Sequence, residues 1–325
     1  MTLILGIEST AHTLGIGIVD SNGNILANAK DVYTTETGGL IPSELAEHHV
    51  KKYKEVLKTA LKEAKIKLSD IDVIAYSRGP GIGHALRIGS FIAASLHKLL
   101  NKPVVGVNHC IAHLSIGELT TGLKDPVLLY ASGANTQIIA YDDHKYRVFG
   151  ETLDMGVGNF IDAFARYAGL GFPGGPKIQA LAEKGKNYIP LPYVVKGMDV
   201  SFGGIYTFLI NKLSQHSLED LAYSLQETVF AMLVEVTERA MAHLNRNAVI
   251  VGGGVGLNKR LQEMLKIMAE ERNAKAGIPR RDVLPDNGAM IAWQGWLEYN
   301  SRGEDKVIEI RPYERTDEVV VTWKD

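Results

Sequence analysis

Two histidines four residues apart, His109 and His113, follow an apolar run at 104–107. On a helix that spacing puts both imidazoles on one face, close enough to share a cation. A zinc peptidase built on such a pair needs a glutamate beside the first histidine as general base. Cys110 stands there, so the pair can hold a metal but lacks that base. The same spacing also suits an ordinary helix start carrying two histidines. His48 and His49 cannot chelate together, because neighbours on a helix point about 100° apart. Glycine-rich turns at 79–83, 172–177 and 252–256 can bring backbone N–H groups close to phosphate or ribose oxygens. The last links a strand directly to a helix, but no Gly-Lys-Ser/Thr follows, so it is not a P-loop. Asp286 reads as a helix N-cap, and Asp162 as a carboxylate on a helix face with Asn159 and Arg166.

The elements that must position these groups recur. Strands are expected at 3–7, 15–19 and 25–31, with Asn22-Gly23 as a hairpin signal between the last two. A helix with Ser43 as cap follows at 43–64, then a strand at 71–76, a helix at 85–100 and a strand at 104–107. The second half repeats the opening: strands at 127–131, 137–141 and 146–151, with the small polar turn Ser132-Gly133-Ala134-Asn135-Thr136 after the first. Later come helices at 221–244 and 258–269, a strand at 248–251 and a helix from 286 to about 296. The tail at 319–323 is rich in β-branched residues and is expected to add an edge strand. Strand, polar turn, strand, turn, strand thus occurs twice. That is the organisation of an α/β chain with the actin-like ATPase (ASKHA) fold: two duplicated lobes with a nucleotide cleft between them. The expected division is 1–124 with a tail at 306–325 packing back on it, and 125–305.

Composition limits the possibilities further. With 46 % hydrophobic and 22 % charged residues, the chain can build a sizeable core and is not expected to be disordered. Its net charge of −2 excludes a polycation, so nucleic-acid binding needs a local basic patch or a basic partner. A single cysteine, Cys110, allows no intramolecular disulfide and suits a reducing compartment. The opening Met-Thr-Leu-Ile-Leu-Gly reads as a strand, not as a signal peptide. No apolar run approaches the roughly 20 residues a membrane-spanning helix needs. A cytoplasmic protein without membrane contact is expected.

Several stretches taken in order resemble one family. They are Gly6-Ile7-Glu8-Ser9-Thr10-Ala11-His12-Thr13, Glu47-His48-His49, Asn108-His109-Cys110-Ile111-Ala112-His113, Ser132-Gly133-Ala134-Asn135-Thr136-Gln137, Phe149-Gly150-Glu151-Thr152-Leu153-Asp154, residues 171–177, Lys196-Gly197-Met198-Asp199 and Asp286-Asn287-Gly288-Ala289-Met290. Together they resemble the universal tRNA threonylcarbamoyladenosine synthase family, once called O-sialoglycoprotein endopeptidase. Its archaeal and eukaryotic branch is the catalytic subunit of the KEOPS complex. The histidine motif and the closing Arg315-Thr316-Asp317-Glu318-Val319 are similar to the archaeal branch.

The resemblance implies a metal-dependent acyltransferase. Threonylcarbamoyl would move from threonylcarbamoyl-AMP to the adenosine 3′ of the anticodon, in tRNAs reading codons that begin with A, releasing AMP. It implies one divalent metal, iron before zinc, on His109, His113, Tyr130 and Asp286. The adenylate would lie along Tyr130, Ala131, Ser132, Gly133 and Ala134, with Asp162, Gly175, Gln179 and Asn258 around its adenosine part. No catalytic group beyond the metal site is implied, although ATP or another adenine nucleotide could occupy the cleft. The implied partners are tRNA, a separate synthase for the adenylate, a small kinase-like ATPase subunit, and small dimerising and tRNA-binding subunits.

The sequence departs from the family pattern at Ala134, where a second glycine is usual, and at Gln179, where a carboxylate is usual. Gly203 and Lys259 are further departures, standing for a serine and an asparagine. A methyl at position 134 is expected to oppose a positive φ or to crowd a phosphate. These changes motivate an alternative: a nucleotide-binding paralogue that scaffolds a tRNA-modification complex with weak or no activity. A peptidase is disfavoured by Cys110. A sugar or acetate kinase on the same fold is disfavoured by a two-histidine site, since magnesium prefers oxygen ligands.

Overall fold

The computed structural model describes residues 1–35 and 40–324. The first half forms β1 (Leu3–Glu8), β2 (Thr13–Asp20), β3 (Ile25–Val32), α1 (Pro42–Ala64), β4 (Val73–Gly79), α2 (Gly83–Leu100), β5 (Val104–Asn108) and α3 (His109–Thr121). The second half forms β6 (Val127–Ala131), β7 (Thr136–Asp142), β8 (Lys145–Glu151), α4 (Val157–Tyr167) and α5 (Gly175–Ala182). A two-residue hairpin follows, β9 (Val195–Lys196) and β10 (Asp199–Val200), then α6 (Gly203–Lys212) and α7 (Leu218–His243). The chain ends with β11 (Ala248–Gly252), α8 (Lys259–Glu271), β12 (Lys275–Gly277) and α9 (Gly288–Arg302).

The duplication is borne out strand by strand. One sheet has the order β3-β2-β1-β4-β5 and the other β8-β7-β6-β11-β12. In each, the first three strands in sequence form an antiparallel meander. In each, a further strand adds in parallel to the strand that opens the half, and a second adds in parallel to that one. Parallel addition needs crossover helices, and those cover the faces of both sheets.

Helix α3 lies between the sheets. Residues 109–117 are all buried, as expected of a helix with apolar neighbours all round. Ala112 and Ile116 pack with Val105 and Val107 of the first sheet. Ile111 and Leu114 pack with Leu128, Ile139 and Ile250 of the second. Helix α9 follows the second sheet in sequence but packs on the first, with Ala289 to Ala292 against Ile4, Val19 and Ala75. The approach is so close that a Cβ added at Gly17 would lie 2.1 Å from the Ala289 nitrogen. Only glycine allows that contact.

Two expectations need correction. Helix α1 starts at Pro42 with Ile41 as its N-cap residue, so Ser43 is inside the helix. Proline suits that position because the first N–H of a helix has no partner. The tail at 319–323 forms no strand. Val319, Val321 and Trp323 alternate inward onto the cluster containing Tyr141, Tyr146 and Val148. The period of two is real, but the tail lies on a face of side chains, where it finds no ladder of backbone partners.

Candidate metal centre and interlobe cavity

The histidine pair is placed by a strand that stops abruptly. Asn108 ends β5, and its side-chain oxygen accepts from the Cys110 and Ile111 amides at 3.0 and 3.2 Å, capping α3. His109 and His113 therefore sit on the first turn and the next, rings 4.9 Å apart. Asp286, just before α9, brings one carboxylate oxygen to 3.5 Å from His109 Nε2 and 3.3 Å from His113 Nε2. One ligand atom from each of the three lies within 4.8 Å of the others, a spacing that one cation can bridge. Tyr130 at the end of β6 places its hydroxyl 2.9 Å from His109 Nε2. The four groups anticipated as ligands thus converge from three separate segments: α3, the end of β6 and the approach to α9.

Glu8 completes the arrangement, and it was not among the anticipated site residues. It is fully buried at the end of β1, with Oε2 2.9 Å from His109 Nδ1. A carboxylate only accepts, so Nδ1 carries the proton and Nε2 is left for a cation. The other oxygen accepts from the Thr10 amide at 2.7 Å and its hydroxyl at 2.5 Å. A charged residue closing an apolar strand was the signal in the sequence.

Electrostatics agree with a cation site. Burial opposes a charge on His109, but Glu8, Tyr130 and Asp286 outweigh it and hold its pKa well above the ordinary value. Burial opposes the charge on Asp286 too, yet the two histidines hold its pKa well below the usual carboxylate range. Burial keeps the Tyr130 phenol well above its usual pKa and pushes the Cys110 thiol up to about 11. Cys110 is therefore a protonated packing residue and no nucleophile. Two imidazoles around one buried carboxylate make a nitrogen and oxygen donor set that suits a divalent ion, and the residues fit a metal.

A cavity of about 1070 Å³ opens beside this centre. Tyr130, Ser132, Gly133, Ala134, Asp162, Gly175, Gln179 and Asn258 line it, together with His109 and Asp286. Ala131 and His113 do not; both are buried behind the wall. Thr10, Ala11 and His12, Gln226, Lys259 and Arg281 also line it and were missed. These come from loops, from α7 (Gln226) and from the start of α8 (Lys259), and their chemistry is unremarkable until the fold gathers them.

Several anticipated contacts have other duties in this structure. Asp162 Oδ1 accepts from the Gly174 amide at 2.7 Å, fixing the turn before α5, and burial raises its pKa. Asn258 caps α8 through Oδ1, and its amide donates to Gln226 at 2.9 Å. Gln179 reaches Glu183 at 3.4 Å. Ala134 is exposed and its φ is not positive, so the expected backbone conflict does not arise. His49 is buried with Nε2 3.0 Å from the Ala11 carbonyl, and His48 lies 2.7 Å from Asp31; neither reaches the metal centre.

Two duplicated lobes with a cavity between them define the actin-like ATPase fold, here with a candidate cation centre beside the cavity. Solved structures with the same fold include HypF of Thermococcus kodakarensis (TM-score 0.64, 15 % identity, over 91 % of this chain and 47 % of that one). Component A of the (R)-2-hydroxyglutaryl-CoA dehydratase of Acidaminococcus fermentans is another (TM-score 0.60, 13 % identity, over 92 % and 100 %). Sequence is more specific. Residues 23–293 match the sequence model of TsaD, tRNA N6-adenosine threonylcarbamoyltransferase. Proteins of that name from Thermococcus kodakarensis and Thermofilum pendens are 54 % and 47 % identical to the chain. Those matches cover 99 % of this chain in both cases, and 99 % and 97 % of the relatives. A probable bifunctional tRNA threonylcarbamoyladenosine biosynthesis protein of Methanothermobacter thermautotrophicus is 52 % identical over 99 % of this chain, which spans 61 % of it. The chain belongs to the tRNA N6-adenosine threonylcarbamoyltransferase family. None of its described helices is long and apolar enough to cross a membrane.

Proposed function

We propose that the chain transfers threonylcarbamoyl from threonylcarbamoyl-AMP to N6 of the adenosine 3′ of the anticodon, in tRNAs reading codons that begin with A. One observation carries the reading: in a member of this family, a two-histidine, one-carboxylate cluster reaches an interlobe cavity large enough for a nucleotide through His109 and Asp286. The new bond joins N6 to the carbamoyl carbon. The bond from that carbon to the phosphate oxygen breaks, AMP leaves, and the amine gives up one proton.

His109, His113, Tyr130 and Asp286 would hold the metal, iron before zinc. When bound it supplies Lewis acidity toward the carbamoyl oxygen. Glu8 fixes the His109 tautomer and orientation. The turn after β6 is closed by Ser132, whose hydroxyl donates to the Asn135 carbonyl at 3.0 Å. Its carbonyls at Ser132 and Gly133 accept from Gly158 and Asn159 of α4. The turn is thereby held as a rigid rail for the acyl phosphate, with Tyr130, Ala131, Ser132, Gly133 and Ala134 along it. Asp162, Gly175, Gln179 and Asn258 surround the adenosine, and the cleft also suits ATP or another adenine nucleotide.

The lobes are 1–124 with the tail at 306–325, and 125–305, each lending one helix to the other's sheet. The partners are tRNA, a separate synthase that makes the adenylate, a small kinase-like ATPase and small dimerising and tRNA-binding subunits of KEOPS. The longer bifunctional relatives support a linked activity. With a net charge of −2, the isolated chain binds tRNA weakly and leaves much phosphate contact to basic partners. A reducing, cytoplasmic setting suits the single buried thiol.

The test combines purified chain, partners, synthetic threonylcarbamoyl-AMP and cognate tRNA, with the modified nucleoside measured by mass spectrometry. Product is expected, and its loss on metal removal. Absence of product with every partner present, while adenine nucleotide still binds, establishes the scaffolding paralogue instead.

A further inference from the structure

The closing segment returns to the first lobe and ends up against the metal helix. Tyr76 donates to the Glu309 carbonyl at 2.9 Å, the Arg311 amide donates to the Arg78 carbonyl at 2.7 Å, and Gly81 donates to Pro312 at 3.1 Å. Glu314 then turns inward, 7 % exposed. Its carboxylate accepts from Arg78 Nε at 3.0 and 3.2 Å, from Arg311 Nη1 at 3.2 Å, and from Asn108 Nδ2 at 3.1 Å. Arg78 also donates to the Gly106 carbonyl, two residues before the cap. Thr316 meets the Cys110 thiol, and Val319 packs in the same cluster as Ile111 and Leu114.

Every one of these partners of the Glu314 carboxylate is a donor. Asn108 has a donor end and an acceptor end, and only one orientation serves α3: oxygen toward Cys110 and Ile111. A carboxylate on the other side enforces that orientation, because it can accept the amide and nothing else. We infer that Glu314, one residue ahead of the closing motif, is a positioning residue for the metal centre. It sets the Asn108 amide, which sets the first turn of α3 and hence His109. The inference rests on the reading of His109, His113 and Asp286 as metal ligands.

The experiment uses the full chain and compares wild type, Glu314→Gln and Tyr313→Ser. Glutamine keeps the shape but turns an N–H₂ toward one of three donors, so the Asn108 amide is free to flip and uncap α3. Cobalt(II) titration followed by its absorption bands is expected to show about tenfold weaker binding for Glu314→Gln, the size of a typical outer-shell loss. In metal-free protein, the His109 ring ¹⁵N resonances shift and the Asn108 side-chain amide protons exchange faster. Tyr313, 93 % exposed beside Glu314, is the control, and its variant matches wild type throughout. Wild-type cobalt affinity and unchanged His109 and Asn108 signals in a folded Glu314→Gln overturn the inference. So does a loss of thermal stability that leaves those signals unmoved. If Glu314→Gln fails to fold, Glu314→Asp keeps the charge, withdraws it from Asn108, and is read the same way. If wild type takes up no cobalt, the metal reading fails, and the His109 and Asn108 resonances still decide the role of Glu314.

Discussion

The two hairpin turns that border the cavity share a backbone plan and differ in what they bury. Glu8 and Ala131 are the last residues of β1 and β6, the opening strands of the two sheets. At one stands a buried carboxylate, at the other a buried methyl. The first turn is pinned from outside: Ser9 to Ser77, Ala11 to His49, and Thr10 to Ile82. The second closes on itself through Ser132 and Asn135, touches α4, and leaves Gly133 and Ala134 exposed. A duplicated frame has thus been put to two uses. The first turn holds a protein group in a fixed direction, which demands buried partners. The second leaves its outer surface open to the cavity, as the proposed ligand contact would require.

The largest effect should come from breaking the first turn. Glu8→Ala removes the acceptor at His109 Nδ1 and is expected to weaken metal binding by roughly 10- to 100-fold. Competition with a chelator measures that, and an unchanged affinity would show the two turns to be equivalent. Gly156→Ala attacks the second turn alone. The added Cβ would lie 2.3 Å from the Gly133 carbonyl oxygen and must push the turn aside. KM for the adenylate is expected to rise several-fold while metal affinity stays constant; a matching loss of metal would refute the division of labour.

Acid should loosen the first turn and spare the second. Burial lowers the His49 pKa to about 4, while its Nε2–H serves the Ala11 carbonyl. The unfolded chain, with an ordinary histidine pKa, takes up the proton first. Stability from a neutral His49 is therefore complete above about pH 6.5 and is lost as pH falls toward 4. Thermal melts across that range should show the decline, and His49→Gln should flatten it. The smallest effect belongs to Ala134→Gly. With no positive φ to relieve and an exposed methyl, turnover and stability should change little, by under about 0.5 kcal/mol in folding free energy. A large gain in activity would mean that the methyl crowds the ligand after all.

Much of the frame was legible because its signals are local. Alternating and continuous apolar runs marked the strands of both meanders, and Asn108 through His113 read as a helix start with two imidazoles on one face. The tail misled for the same reason: residues 319–323 have strand chemistry and a period of two, but pairing depends on a neighbouring edge that local sequence does not encode. Asn258 and Asp162 show a second kind of gap. Their residue types suit a ligand, yet each is engaged in holding a helix or a turn, and only the finished packing reveals it.

By itself the sequence determined the doubled meander, the spacing of His109 and His113, and through its ordered motifs the family. Tertiary structure alone decided that Glu8, from the first strand, orients His109, and it gave distances to the Tyr130 and Asp286 contacts that the family resemblance had implied. It alone decided that Glu314 faces the cap of the same helix. The physical reason is that hydrogen bonds and cation sites act over about 3 Å, whereas these residues lie scores to hundreds of positions apart in the chain. Only the burial of α3 between two sheets brings them within that reach.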